Sequence, residues 1–572
     1  MRFTAHLLGA TSMTLLSSSM AFAQEGERGR DDQLNIIYWQ APSILNPYLS
    51  GGVKERDASS MVLEPLANAD EKGELVPKLA IEIPTVENGG MTEDLTAITW
   101  KLKEGVTWSD GTPVTADDVK FTADYCMNPE GGCAQQSKFN DVKNVEVVDD
   151  RTITIHFDEP KPYPYLPFVG AASPILQAAQ FAECTGARAP GCTEENFNPI
   201  GSGPFVVTDF RPNDSIQLVA NDNYRDAGKP AFAKLNFKGG GDAVSAARAV
   251  METGEFDYAW DLLMAPDVLE TIAQGGTGKP IFEFGPLVER IEINMTNPSP
   301  DLPPETRATV QEPHPFLTDR RVRQAMSMAI DRELLNEIGY GQAGRPTCNL
   351  VPAPPIYSSD NTECMTQDLE AAKTLLDEAG WLDENGDGVR EKDGMRLSIV
   401  FQTSTNAVRQ DFQALIKDWW NQIGIKVELR NIDASVFFGG DPGSPDTFPK
   451  FYADVEMYAN LYDGTDPQAY LAQRRCGNEP KPSTQWQGEN INRFCDEEYD
   501  TLLDELSRTS KLEERARLVK RLNDIITTES KSMLPLINRA AVAAQGNTLG
   551  GVKLNAWDSD LWNVADWYRT EG

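Results

Sequence analysis

The alternation of apolar and polar positions predicts both strands and helices along this chain. Residues 34–39 form an apolar-rich run typical of a buried strand, whereas residues 152–157 alternate polar with apolar positions as a half-buried strand does. Two further strand-like runs, 205–207 and 215–219, flank the turn-rich residues 211–214, a pattern that predicts a β-hairpin.

Helix signals occur between these runs. Thr115 and Asp118 have the spacing of a capping box and predict a helix that extends toward residue 127. Thr318 is the predicted N-cap of a second helix, whose apolar face consists of Val322, Ala325, Met326, Ala329 and Ile330. A third helix, predicted over residues 405–423, ends at Gly424 and precedes the strand-like residues 425–430. This order of elements indicates an α/β fold with mixed sheets.

The length and the termini of the chain narrow the picture. A chain of 572 residues is longer than one hydrophobic core usually supports, so two or three domains are expected. Residues 1–23 have the pattern of a secretory signal: Arg2, an apolar stretch over 7–16, and the small residues Ala21 and Ala23 at the cleavage site. No cysteine lies near this site and no later run is long and apolar enough to span a bilayer. The sequence therefore predicts a soluble exported protein without a lipid anchor.

Charge excludes some partners. The chain has a net charge of −35, and removal of residues 1–23 takes away one base, Arg2, and no acid, which gives −36. Nucleic acid and anionic membrane surfaces are poor partners for such a protein.

The eight cysteines fall into four pairs that are close in sequence: Cys126 and Cys133, Cys184 and Cys192, Cys348 and Cys364, and Cys476 and Cys495. In an exported chain this pattern indicates disulfides and an oxidising compartment such as the periplasm. Eight cysteines allow 105 connectivities, so pairing between sequence neighbours is a hypothesis.

Most enzyme chemistry finds no support in the sequence. After the signal, the only histidines are His156 and His314, which argues against hydrolase triads built on histidine, and no HExxH or GxSxG pattern is present. Acidic pairs are abundant, so a secreted hydrolase with two catalytic carboxylates stays open as an alternative. No cofactor is expected.

One segment resembles a calcium loop. Residues 383–388, DENGDG, match positions 1, 3, 5 and 6 of an EF-hand loop, but Gly394 occupies the position of the bidentate glutamate. A tight turn is the favoured interpretation. A second segment, YANLYDGTDPQAY at 458–470, interleaves aromatic residues with two carboxylates, which suits a ligand-binding wall.

Several blocks resemble extracytoplasmic solute-binding family 5, the peptide- and nickel-binding proteins of ABC importers. The longest is WKLKEGVTWSDGTPVTADDVKF at 100–121, and the others are LEPL at 63–66, PKLA at 77–80, IGSGPF at 200–205, VRQAMSMAID at 322–331 and AKTLLDEAGW at 372–381. The resemblance implies a two-lobe periplasmic-binding-protein fold of type II, cluster C, with an inserted domain. Lobe I would comprise 24–60, 195–290 and 526–572, the insert 61–194, and lobe II 291–525.

The resemblance also implies where a ligand binds. Asp463 matches the aspartate that holds the α-amino group of peptides in dipeptide-binding relatives, although the tryptophan common before that segment is replaced here by residues 460–462, NLY. We expect Asp463 and its neighbours Tyr462 and Asn460 to contact ligand. Trp39, Gln40 and Tyr48 follow the first strand and are candidates for the same cleft, with core packing as the alternative.

The expected role is that of a monomeric periplasmic binding protein, not an enzyme, which passes a small solute to the permease subunits of an ABC importer. An oligopeptide is the expected solute, and an oligosaccharide, an opine or a metal chelate are the alternatives within the same class. A chaperone-like binder of unfolded chains is a further alternative, and it would expose an apolar patch.

Overall fold

The computed structural model describes residues 27–462 and 464–570. The predicted signal at 1–23 and Asp463 lie outside the described residues. The strands are β1 (Asp31–Tyr38), β2 (Ala67–Ala69), β3 (Leu75–Pro77), β4 (Ala97–Lys101), β5 (Val142–Asp149), β6 (Thr152–Phe157), β7 (Phe205–Arg211), β8 (Ser215–Ala220), β9 (Phe232–Gly239), β10 (Tyr258–Trp260), β11 (Gly278–Glu283), β12 (Val288–Ile293), β13 (Gly344–Pro346), β14 (Glu391–Lys392), β15 (Met395–Arg396), β16 (Ser398–Ser404), β17 (Lys426–Ile432), β18 (Val455–Asn460), β19 (Met533–Arg539), β20 (Ala541–Gly546), β21 (Leu549–Gly550) and β22 (Tyr568–Arg569).

The helices alternate with these strands, as the sequence predicts. They are α1 (Val53–Ser60), α2 (Ala116–Cys126), α3 (Ala178–Phe181), α4 (Thr193–Phe197), α5 (Ala243–Met251), α6 (Pro266–Ala273), α7 (Arg320–Met328), α8 (Arg332–Gly339), α9 (Leu369–Glu378), α10 (Ala407–Gln422), α11 (Ala434–Phe437), α12 (Gln468–Ala472), α13 (Glu497–Arg508) and α14 (Leu512–Asp524).

Two large sheets organise the molecule. The first has the strand order β11-β20-β10-β1-β9-β8-β7, and the second has the order β13-β19-β12-β18-β16-β17. Both mix parallel and antiparallel pairs: β1 runs parallel to β9 and β10, while β7 and β8 form the predicted hairpin. The α/β class with mixed sheets is therefore confirmed.

Within the described residues, the chain passes between the two sheets at two places. One is the segment 284–287 between β11 and β12, and the other is Ala540 between β19 and β20. Short paired crossings of this kind are suited to act as a hinge, because few residues need to change their backbone angles. β19 pairs with β12 and β13 of the second sheet, although the predicted division assigns residues 526–572 to lobe I.

A third, smaller sheet has its own core. It has the order β4-β6-β5 and packs with α2, and its apolar residues form a cluster separate from those of the two large sheets. β6 alternates half-buried and buried positions as predicted, and α2 begins with the predicted capping box of Thr115 and Asp118.

The ends of two other helices differ slightly from the prediction. α7 begins after Asp319, whose side chain accepts a hydrogen bond from the backbone N–H of Arg321, so the predicted cap at Thr318 is wrong by one residue. The Thr318 hydroxyl instead donates to the carbonyl of His314. α10 lies within the predicted range and is capped by Asn406, and Gly424 follows it with a φ of +87°.

All four predicted cysteine pairs are disulfides. Their Cα–Cα separations lie between 4.8 and 5.8 Å, and every pair joins sequence neighbours, so the pairing hypothesis is confirmed. The bond between Cys476 and Cys495, with a sequence separation of 19, closes a loop that includes part of the cleft wall described below.

The calcium-like segment is a hydrogen-bonded turn. Asp383 accepts from the backbone N–H groups of Asp387 and Gly388, at 3.1 and 3.0 Å. Asp387 in turn pairs with Arg396 at 2.7 Å. These carboxylates therefore stabilise the turn itself, as the favoured interpretation of the segment requires.

Candidate functional site

A cleft between the two large sheets contains two adjoining cavities of about 1250 and 870 Å³. Both cavities share a wall formed by Gly51, Gly52, Val53, Arg56, Phe448, Tyr458, Asn460, Leu461 and Asp558. This wall combines the start of α1 with the end of β18. Residues on both sides of the hinge segments therefore line the cleft.

Six aromatic side chains of the described residues contribute to the wall of the first cavity. Its lining includes the tyrosines 163, 165, 458, 462 and 470 together with Phe448. The rings contact one another in pairs, with 5.4 Å between the centroids of Tyr462 and Tyr470 and 5.3 Å between those of Tyr163 and Tyr165. Flat rings with polar tips offer apolar walls and a few directed hydrogen bonds, as small-molecule sites require.

A buried ion pair supports this aromatic wall. Arg290 and Glu292 of β12 are fully buried and lie 2.8 Å apart. The Tyr458 hydroxyl donates to Glu292 at 3.1 Å, and Arg290 donates to the Tyr470 hydroxyl at 3.1 Å. Because the ion pair fixes both hydroxyl groups, these two rings are held in place before any ligand arrives.

The Asp466 carboxylate is likewise hydrogen-bonded to other residues of the protein. Its carboxylate receives two hydrogen bonds from Arg515 of α14, at 3.0 and 2.6 Å, and one from the Tyr357 hydroxyl at 3.3 Å. It also accepts from the backbone N–H of Gln468. Asp466 therefore anchors the segment that follows residue 463.

A second ion-pair network lies behind the second cavity. Arg409 of α10 donates to Glu289 of β12 at 2.8 Å, and Arg539 pairs with Asp261 at 2.6 Å. Burial alone would raise the pKa of Glu289, but the guanidinium groups of Arg409 and Arg539 outweigh it and lower this pKa. Arg409, Arg539 and Asp261 also line the cavity.

Hydrogen bonds beside the first cavity connect two parts of the molecule. Glu489, in the segment closed by Cys476 and Cys495, accepts from the backbone N–H and the hydroxyl of Ser137 at 2.8 and 2.9 Å. Gln485 donates to the carbonyl of Ala187 at 3.2 Å. Burial raises the pKa of Glu489 to about 7, against the opposing effects of Ser137, Arg474 and Lys138. These contacts join the part built on the second sheet to the part that contains the small sheet.

The structure places the predicted ligand residues unequally. Gln40 lines the second cavity, Tyr462 the first, and Asn460 both. Trp39 and Tyr48 are not among the described residues that line either cavity. The Trp39 indole donates to the carbonyl of Asp261 at 2.6 Å, and the Tyr48 hydroxyl donates to the carbonyl of Pro174 at 2.7 Å. Both rings are buried in packed clusters, so here they support the fold.

Sequence reasoning missed several lining residues, namely Arg56, Trp260, Phe448, Asp558 and Asp560. Arg56 lies in α1, whose run of charges resembles that of a surface helix. The aspartates at 558 and 560 are close to a tryptophan-rich C-terminal stretch, a combination that could have signalled a polar site within an apolar setting.

The possible metal ligands and histidines lie apart from the cleft. Within the described ranges, the one group of three potential ligands with atoms within 4.8 Å is Cys184, Cys192 and Glu195, and its cysteines form a disulfide. His156 pairs with Glu146 at 2.9 Å and His314 with Asp454 at 2.8 Å. In the same part of the chain, no helix has both the length and the apolar character needed to cross a membrane.

Comparisons with known proteins agree on one family. The model of the bacterial extracellular solute-binding proteins, family 5 Middle, matches residues 74–480. The oligopeptide-binding protein AppA of Bacillus subtilis is 27% identical over 440 residues, 75% of this chain and 74% of that protein. The periplasmic murein peptide-binding protein MppA of Escherichia coli is 25% identical over 546 residues, 89% of each chain.

Solved structures show the same fold. AppA in complex with a nonapeptide superimposes with a TM-score of 0.82 at 22% identity, covering 96% of this chain and 100% of AppA. NikZ of Campylobacter jejuni in complex with Ni(L-His) gives a TM-score of 0.76 at 22% identity, covering 94% of this chain and 100% of NikZ. At these identities the likeness establishes the architecture alone.

Proposed function

Since the chain belongs to family 5 of the bacterial extracellular solute-binding proteins, we propose that it captures an oligopeptide in the cleft and delivers it to an ABC importer permease. The members of this family are solute-binding proteins and not enzymes. The same proposal includes three further properties. The protein is exported and cleaved after Ala23, it lies in the periplasm without a lipid anchor, and it is a monomer.

The observation that carries the proposal is the continuity and lining of the cleft. The two cavities share nine lining residues in the described part of the chain, so they form one continuous space in which an extended ligand can lie. Walls that combine aromatic rings with charged and amide side chains suit a chain of varied side chains better than a single small ion. The nonapeptide complex of AppA, a relative with the same fold, agrees with this choice.

Titration calorimetry with alanine peptides of two to nine residues tests the proposal. We expect saturable binding that is tightest over a narrow range of lengths, because the walls enclose a fixed volume. Binding of an oligosaccharide, an opine or Ni(L-His) with no binding of any peptide would contradict it and would identify the solute class instead.

Closure of the cleft is expected to depend on pH through Glu489. With the Ser137 contacts formed, burial raises the pKa of the Glu489 carboxyl to about 7, whereas a solvated glutamate has a pKa of about 4.3. Because closure raises this pKa, protonation of Glu489 stabilises the closed form. The stabilisation is complete below the pKa of the open form and is lost as pH rises through the closed-form pKa of about 7. If closure causes the whole shift, the affinity for a neutral peptide should therefore fall by about 60-fold between pH 5 and 7.5.

The variant Glu489→Gln checks the source of this dependence. Glutamine keeps an oxygen that can accept a hydrogen bond from Ser137, but it does not titrate. The peptide affinity of the variant should therefore be constant over the same pH range. Glu479→Gln, in the same disulfide-closed segment, is the matched control and should keep the wild-type slope. An equal slope in wild type and Glu489→Gln would show that another group causes it.

A further inference from the structure

From the chemistry of its walls we infer that the second cavity binds a cationic side chain of the ligand, with Asp560 as the counter-ion. This inference rests on the proposed function, because it takes the ligand to be a peptide. The cationic group would be the ammonium of a lysine or the guanidinium of an arginine.

Asp560 lines the second cavity and has only a weak partner within the protein. The residue is 7% exposed, and the Tyr258 hydroxyl donates to one carboxyl oxygen at 3.4 Å. Among the described residues, no basic group lies within 4.0 Å of this carboxyl and its second oxygen accepts no hydrogen bond. A buried carboxylate without a cation is costly, so the site is electrostatically incomplete without a ligand cation.

The basic residues of the cavity are already engaged elsewhere. Arg409 pairs with Glu289, and Arg539 pairs with Asp261 and lies 3.7 Å from Glu289. The Nε of Arg56 lies 3.5 Å from the carboxylate of Asp57. Asp560, together with Glu283 at the exposed rim, therefore gives the cavity an acidic surplus.

The remaining walls suit the stem of a long basic side chain. The cavity is lined by the aromatic residues Trp260, Phe438, Phe448 and Tyr458. The ring of Trp260 is stacked on that of Tyr38, with 4.6 Å between centroids and 3° between planes, so its position is fixed. Aromatic faces attract cations and cover methylene groups, while the carboxylate receives the charged end.

The protonation of Asp560 gives a second readout. Burial, followed by the like charges of Asp57 and Asp261, holds the pKa of Asp560 well above its ordinary value, while Arg56 opposes this shift. These groups and the hydroxyls of Tyr258 and Tyr38 are the titratable groups near it among the described residues. A bound cation would favour the ionised form, so binding of a basic peptide should release a proton and should tighten as pH rises.

The test compares pentaalanine peptides in which lysine or the uncharged norleucine replaces each position in turn. Calorimetry on the full exported chain should show one position at which lysine binds at least tenfold more tightly than norleucine. In Asp560→Asn this preference should disappear, so that the lysine and norleucine peptides bind about equally. Glu255→Gln, an exposed carboxylate outside both cavities, is the control and should keep the preference.

Proton release can be measured on the unmodified protein. It therefore tests the cation subsite even if Asp560→Asn does not fold. Calorimetry in two buffers of different ionisation enthalpy should show net proton release with the preferred lysine peptide and none with its norleucine counterpart. Equal affinities for lysine and norleucine at all five positions, or a preference that survives in Asp560→Asn, would overturn the inference. Failure of every peptide to bind would instead overturn the proposed function, and the subsite with it.

Discussion

Replacement of Arg409 by alanine is expected to destabilise the second sheet by about 3–5 kcal/mol. Arg409 and Glu289 are both buried, and the guanidinium donates to both carboxylate oxygens, at 2.8 and 3.2 Å. Loss of the guanidinium leaves Glu289 with the Tyr340 hydroxyl at 3.0 Å and the more distant Arg539. A buried charge that loses its nearest partner must take up a proton or remain uncompensated, and both outcomes cost free energy.

Hydrogen exchange of β12 and α10 during denaturant unfolding measures this loss in the relevant part of a large protein. Arg396→Ala removes an exposed ion pair with Asp387 and is the matched control, with an expected change below about 1 kcal/mol. The ionised Glu289, with its lowered pKa, contributes stability above its unfolded pKa, and this contribution is lost as pH falls through the folded pKa. The difference between wild type and Arg409→Ala should therefore shrink in acid. A loss for Arg409→Ala no larger than for Arg396→Ala would contradict this account of the network.

Replacement of Asp463 by alanine is expected to weaken the binding of peptides with a free amino terminus by about 2–5 kcal/mol, roughly 30- to 5,000-fold. Asp463 lies outside the described residues, but Tyr462 and Gly464 on either side of it both line the first cavity. The family resemblance assigns this aspartate to the α-amino group. An ammonium enclosed in a closed cleft needs a carboxylate to compensate its lost hydration.

A peptide with an acetylated amino terminus separates this role from a structural one. The wild type should prefer the free peptide by the same factor, and Asp463→Ala should bind the free and acetylated peptides about equally. Asp463→Asn, which keeps the shape of the side chain, should behave like the alanine variant. Survival of the preference for the free amino group in both variants would remove Asp463 as the anchor.

Local patterns in the sequence predict those elements whose stability is local. The capping box at Thr115, the β7–β8 hairpin and the four disulfides each depend on residues that are near one another in the chain, and the structure confirms all of them. The α7 cap is displaced to Asp319 because Asp and Thr are both good caps and the sequence does not choose between adjacent ones.

The cleft is harder to predict from sequence, because its buried charges are compensated by residues that are distant in the chain. Three of the six residues of β12, VERIEI, are charged, yet all six are buried, since Arg409 and Arg474 compensate its glutamates from other elements. α1, VKERDASS, resembles a surface helix, yet six of its eight residues are buried. Asp560 likewise gains its significance only when β10 and α1 are brought beside it. Such residues cannot be identified from spacing along one segment.

Mass spectrometry of the solute released from natively purified protein tests the central claim most directly. The protein would be isolated from the periplasm without denaturant, unfolded in acid, and the released small molecules identified. The account predicts peptides with free amino termini, enriched in lysine or arginine at one position. A sugar, an opine or a metal chelate as the released solute would contradict it.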